Sequence, residues 1–244
     1  MIGTIILLII LIGLFIFFKK WAKIEKEKKL KAYKRIEAAI NRREYRRYNK
    51  LGENLLMESI KEGFHNFVDI LLTKNIDINH LNQKGENALF YAIHFEKYEL
   101  MNKLISKKID YTHTNKFGQT PLWLASRKSD FRFAKRLIEL GVDIEKADRQ
   151  FEMTPLMVAS KNARFKIVDL LLDANADINK TSPEGTALDI AKKYIGRNSN
   201  LQGKPKFKKM EMIRKLEAYQ KNKKFIPRDY ETYKKSYKKD NPHY

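Results

Sequence analysis

The chain of 244 residues contains no cysteine, which excludes a disulfide framework, a thiolate zinc site and a cysteine nucleophile. That absence is compatible with a reducing compartment without establishing one. Histidine is scarce, with five in all, and no zinc-protease helix motif occurs. A phosphate-cradling glycine loop is also missing, since Gly203-Lys204 is followed by Pro205 and not by the Ser or Thr such a loop needs. No catalytic set, metal site or cofactor is implied, and an enzyme is not expected. Proline and glycine are absent from Lys19 to Lys50, where Lys, Arg, Glu and Ala dominate and helix propensity is high.

What is present is charge, unevenly distributed. The formal net charge is +21, yet residues 51–191 hold 19 Lys/Arg against 20 Asp/Glu. The excess lies in residues 19–50, with 14 against 4, and in residues 192–244, with 17 against 5. Basic flanks around a neutral middle suit anionic lipid headgroups, nucleic acid or an acidic partner.

Ile2 to Phe18 form an uncharged run of seventeen residues. As a helix the run spans about 25 Å, near the short limit for a bilayer core about 30 Å thick. Trp21 and the stems of Lys19, Lys20 and Lys23 supply the remainder by interfacial anchoring and snorkelling. A cleaved signal peptide begins with positive charge and ends in a small-residue site. Only Met1, Ile2 and Gly3, none of them charged at the side chain, precede the apolar core, and Phe15-Ile16-Phe17-Phe18-Lys19-Lys20 has no such site. The expectation is an uncleaved transmembrane anchor over residues 1–18. The Lys/Arg cluster behind it puts the short N-terminus outside and the remaining chain in the cytoplasm. Residues 19–50 read as a basic helical connector with a narrow apolar stripe of Leu30, Tyr33, Ile36 and Ile40. Near an anionic leaflet each Lys or Arg contributes about 1 kcal/mol. A solvated helical spacer is the other reading of the same charge.

The middle of the chain repeats. Thr120-Pro121-Leu122-Trp123-Leu124-Ala125 returns thirty-four residues later as Thr154-Pro155-Leu156-Met157-Val158-Ala159, with echoes at Asn54-Leu55-Leu56, Asn87-Ala88-Leu89 and Thr186-Ala187-Leu188. A period near 33 signals stacked supersecondary units that bury their apolar faces against one another. Thr120 and Thr154 can cap a helix whose first position is Pro121 or Pro155. Ser59, Ala92, Ala125, Ala159 and Ala191 share a position where a small side chain lets helices approach. Apolar groups follow at Ile70-Leu71-Leu72, Leu104-Ile105, Leu137-Ile138 and Leu170-Leu171-Leu172.

Gly118-Gln119-Thr120-Pro121-Leu122, then Leu137-Ile138 and Gly141-Val142-Asp143-Ile144, resemble ankyrin repeats. Ile76-Asp77-Ile78-Asn79, Ile109-Asp110-Tyr111-Thr112 and Ala176-Asp177-Ile178-Asn179 resemble the closing segment of that family's unit. The resemblance covers residues 51–221 and implies an all-α helical repeat solenoid of about five units, with hairpin loops along one edge and a concave groove that binds proteins. The chain departs from the family where its usual histidine gives way to Met57, Phe90, Trp123, Met157 and Asp189. The helix-ending glycine survives only as Gly141, so a left-handed residue is expected at Asn75, Lys108 and Asn175. At Lys108 this conformation costs about 1–2 kcal/mol, which makes the second unit the loosest of the interior ones.

In the register implied by the resemblance, the groove-facing positions are Lys84, Glu86, His94, Phe95, Phe117, Gln119, Arg127, Lys128, Phe151, Met153 and Lys161. Aromatic and arginine side chains are typical interface anchors, although each ring can equally fold back onto its own repeat. Arg127 and Lys128 point to an acidic protein partner. The expected protein is thus a membrane-tethered adaptor. The alternative is binding of nucleic acid or anionic lipid through the basic flanks, with Tyr219, Phe225, Tyr230, Tyr233 and Tyr237 available to stack bases. A turn-rich insertion near residues 195–206 interrupts the fifth unit, and residues 222–244 form a Lys/Tyr-rich tail. Asp173, Asn175, Asp177 and Glu184 mimic calcium-loop spacing, but the obligatory glycine is Ile178. His80 and His113, equivalent loop positions, read as solvent-exposed tips and not as a metal pair.

Overall fold

The computed structural model describes residues 2–196 and 204–221, with side chains placed from Leu14 to Tyr194 and from Phe207 onward except Lys209. The expected insertion near 195–206 lies mostly outside these residues, and the 222–244 tail wholly outside. Every regular element among the described residues is an α-helix, joined by two isolated β-bridges, Tyr48 to Asn54 and Ser182 to Gly185. The chain divides into two compact units, Met1–Asn82 and Gln83–Tyr244.

The first unit holds α1 (Ile2–Asn41), α2 (Leu55–Glu62) and α3 (His65–Leu72). Helix α1 stops at Asn41, short of Lys50. Arg43 turns left-handed at φ 59° while the amides of Arg43 and Glu44 bond the carbonyls of Ile40 and Ala39. This double closure satisfies the last carbonyls of the helix. The end of α1 packs on α2 and α3. Of the stripe, Ile36 is fully buried and Leu30 remains exposed, while Tyr33 meets the rings of Phe64 and Phe67 at 5.3 and 4.6 Å. Arg35 reaches the buried Glu58 at 2.8 Å. Burial holds the Glu58 carboxyl above its usual range, opposed by Arg35 and Asn49. Among the described residues no helix is long and apolar enough to cross a membrane. The expected span at Ile2–Phe18 therefore lacks support there, because side chains are described only from Leu14 onward.

The second unit contains α4 (Ala88–His94), α5 (Tyr98–Ser106), α6 (Pro121–Ala125), α7 (Arg132–Glu139), α8 (Pro155–Lys161), α9 (Phe165–Asp173), α10 (Ala187–Gly196) and α11 (Lys204–Gln220). Odd- and even-numbered helices form two layers. α4, α6, α8 and α10 lie side by side in that order, and α5, α7, α9 and α11 do the same behind them.

Local chemistry starts and stops each helix. Thr120 Oγ1 accepts from the Trp123 amide at 3.0 Å and Thr154 from Met157 at 3.4 Å, with proline at the first helical position of each. Asn87 does the same for Leu89 at 3.1 Å. Thr186 and Asp189 exchange bonds reciprocally, so Asp189 serves as a capping-box acid. The second helices end in a left-handed residue at Lys108, Gly141 and Asn175, with φ of 62°, 73° and 64°. Asn75 does not follow them. The end of α3 closes instead through Thr73 Oγ1 on the Ile70 carbonyl and a tight Ile76-to-Lys74 bond, at 2.7 and 2.9 Å.

The small positions Ala92, Ala125, Ala159 and Ala191 are fully buried, as are Phe90, Trp123 and Met157 to within 5%. The place of the family's polar histidine is thus filled by apolar packing. Loops repeat as faithfully as helices. Asp110, Asp143 and Asp177 each accept from the amide two residues on, at 2.8, 2.8 and 2.9 Å, the side-chain turn that favours Asp at such sites.

Candidate functional site

The predicted groove residues come from two recurring places in the second unit: hairpins ahead of α4, α6 and α8, and the C-terminal ends of those helices. Neighbouring hairpins are stitched together by backbone bonds, Lys116 N–H to the Lys84 carbonyl at 2.9 Å and Arg149 N–H to the Phe117 carbonyl at 2.8 Å. The approach is close enough that a Cβ on Gly118, itself at φ 75°, would stand 3.0 Å from the Arg149 amide nitrogen. Glycine is required there for both reasons. The result is a fixed edge that carries Lys84, Glu86, Phe117, Gln119 and Phe151 at repeat spacing.

Phe117 and Phe151 are 44% and 45% exposed, so these two rings are presented to solvent. Phe95 is half-buried and folds back against Tyr91 and His94, at ring separations of 6.2 and 5.0 Å. Met153 is a correction to the predicted set. Its side chain is 2% exposed, and its carbonyl accepts from the Trp123 indole N–H at 2.9 Å, which draws the residue into the stack and away from any partner. Gln119 Oε1 accepts from Asn115 at 3.1 Å and serves its own hairpin.

Cations line the helix ends. Exposed Arg127 lies over the Trp123 ring at 5.7 Å. Lys128 donates to the His94 carbonyl and sits 3.6 Å from Glu96. Burial pushes the His94 imidazole below its ordinary value, and Lys128, Lys84 and Arg127 add to that, while Glu86 opposes them. The neutral form of His94 is thereby favoured, with more cations than carboxylates acting on it. Lys161 donates to Glu184 at 2.8 Å and faces the rings of Tyr194 and Phe151 at 4.5 and 5.8 Å. Bonds from Lys161 and Tyr194 hold the Glu184 carboxyl down at about 2.

The loop histidines are also corrected. They are half-buried and do mechanical work, because His80 Nε2 meets the Gly52 carbonyl at 2.7 Å and His113 Nε2 the Gly85 carbonyl at 2.9 Å. His80 also stacks on Tyr48 at 4.3 Å. The signal available in the sequence was their common offset of 28 residues from a hairpin glycine. Glu184, one of the calcium-loop mimics, is engaged by Lys161 and Lys193.

Sequence reasoning missed an open cavity of about 770 Å³ on the side of the second helices, walled by the turn before α7, by α9 and by α11. Phe131, Phe165, Ile167, Phe207 and Met212 give it an apolar lining.

A family profile described as ankyrin repeats (3 copies) matches residues 28–115 and 97–182. No curated protein matches the chain.

Proposed function

Because the chain belongs to the ankyrin repeat family, whose repeats are a protein-protein interaction module, we propose that it is a non-catalytic adaptor whose partner is an acidic protein segment. The partner is received along the edge marked by Phe117, Phe151, Arg127 and Lys128. The observation that carries this reading is the pairing of two half-exposed rings at repeat spacing with Arg127 and Lys128 at the neighbouring helix end. Rigid aromatic anchors beside cations supply contact area and select for carboxylates. Crosslinking followed by mass spectrometry should recover partners through these residues, and Phe117→Ala combined with Arg127→Ala should lose them. Unchanged partners in the double variant move the site elsewhere.

The adaptor is tethered to a membrane through residues 2–18, its repeats on the cytoplasmic side. Support comes from the uncharged run and from Leu14 to Phe18, whose side chains are all 47–62% exposed around the helix, followed by exposed Trp21. Soluble domains rarely leave so continuous an apolar surface uncovered. Lys19 and Lys20 then stand at headgroup level, where anionic lipid favours them. Alkaline carbonate extraction should leave the full chain in the pellet, and recovery in the supernatant removes the tether from the proposal.

A further inference from the structure

The cavity beside α7, α9 and α11 is lined by none of the candidate edge residues, and its Arg164 donates to the backbone carbonyl of Arg127 at 2.8 Å without engaging that side chain. Helix α6 ends early, without the left-handed closure that Glu96 and Ala163 give α4 and α8, at φ 55° and 53°. The longer turn to α7 carries Ser129 and Phe131 to the cavity mouth. The floor is Ile167 and Met212, buried to 1% and 4%, and the half-buried rings of Phe131, Phe165 and Phe207 form the walls. A volume of about 770 Å³ falls within the ligand-cleft range of about 300–1,000 Å³.

The charge at the rim is asymmetric. Both lining carboxylates are engaged, Asp169 by Lys215 and Glu211 by Arg214, each at 2.6 Å. Lys166 lies 4.5 Å from the centre of the Phe131 ring. Lys208 is exposed. Among the described residues no carboxylate pairs with Lys166 or Lys208. An apolar trough with a net cationic rim matches a segment in which leucine or aromatic side chains alternate with Asp or Glu. The chain's own 222–244 segment does not fit, with 7 Lys/Arg against 3 Asp/Glu, so like charge at the rim opposes it.

We infer that this cavity is a second docking site, for an acidic-hydrophobic peptide segment of a partner protein, independent of the Phe117 edge. The test uses the full chain in detergent micelles and a short fluorescein-labelled peptide that alternates glutamate with leucine, read by fluorescence polarisation. The wild type should bind it, and raised salt should weaken the complex, since exposed ion pairs are screened. Lys166→Glu with Lys208→Glu, both at the surface, should weaken binding at least tenfold while the circular dichroism melt stays unchanged. Phe131→Ser should weaken it as well, whereas Phe117→Ala with Arg127→Ala should leave it as in the wild type. Absence of binding, equal binding by the charge-reversed variant, or equal binding of a lysine-for-glutamate peptide overturns the inference. Loss confined to the Phe117/Arg127 variant also overturns it and returns the acidic ligand to the hairpin edge.

Discussion

The pairs α4–α5 and α6–α7 adopt the same plan from different residues. The first is capped by Asn87, centred on Phe90 and closed by Lys108 at φ 62°; the second is capped by Thr120 with Pro121, centred on Trp123 and closed by Gly141 at φ 73°. Their loops then turn on Asp110 and Asp143 with the same 2.8 Å bond. Backbone conformation at these joints is thus imposed by stacking and not by the preference of any one residue. Asn87 shows how the poorer match is compensated. It is fully buried, and besides capping α4 it donates from Nδ2 to the Asp110 carbonyl at 2.7 Å, a bond that Thr120 lacks the amide to make. Lys108 is not compensated in the same way, so the strain there stays in the structure.

The largest test of this equivalence removes the central side chains. Phe90→Ala and Trp123→Ala should each cost about 3–5 kcal/mol in urea denaturation. Trp123→Phe separates ring from hydrogen bond. It should cost about 1 kcal/mol, because the buried Met153 carbonyl then loses its donor, and a stability equal to wild type would show that the indole bond contributes nothing. The closing residues give a smaller and oppositely signed pair. Gly141→Lys should destabilise by about 1–2 kcal/mol, the penalty of a left-handed non-glycine residue. Lys108→Gly relieves that penalty but adds unfolded-state entropy of about 0.5–1 kcal/mol, leaving a net gain below about 1.5 kcal/mol. Hydrogen exchange in α5 should slow in Lys108→Gly. If neither substitution alters exchange or stability, the strain difference between the two pairs has been misplaced.

Much of this plan was legible in the sequence because its causes are local. A hydroxyl three residues before an amide, a proline at the first helical position and a small residue at the contact each act within one turn of helix. What escaped depends on partners about one period away. The burial of Met153 follows from the Trp123 indole 30 residues earlier. His80 and His113 are fixed by carbonyls 28 residues upstream. At Asn75 the failure was local competition, since Thr73 caps the helix end first with its own hydroxyl. Of the candidate edge, register placed Phe95, Phe117 and Phe151 alike and left open whether each ring folds back; Phe117 and Phe151 are exposed, whereas Phe95 turns onto the adjacent Tyr91 and His94 rings. The α7–α9–α11 cavity could not be read at all, because its walls are more than 70 residues apart in sequence between Phe131 and Phe207.

The smallest expected effects are pH dependences of opposite sign at the ends of α8 and α4. His94, Arg127 and Lys161 occupy equivalent positions at helix ends, yet among the described residues only Lys161 has a carboxylate as close as 2.8 Å, from Glu184. Its carboxyl titrates at about 2 instead of 4.5 because Lys161 and Tyr194 bond the charged form. A depressed acid contributes stability that is complete above its unfolded value and disappears as pH falls through the folded one. The α8–α10 end should therefore lose stability progressively between about pH 4.5 and pH 2. Glu184→Gln should be less stable than wild type at pH 7 and show a flatter profile across that window, with the gap modestly reduced in high salt because the Lys193 partner is 41% exposed. At the α4 end the sign is reversed. His94 is held below 6.5 by burial and by Lys128, so an acidic ligand that offsets this field must raise it, and binding takes up a proton. Affinity at the Phe117 edge should then rise as pH falls from 7 toward 6 in wild type and not in His94→Gln. Identical pH profiles for the two proteins would place the acidic ligand beyond the reach of His94.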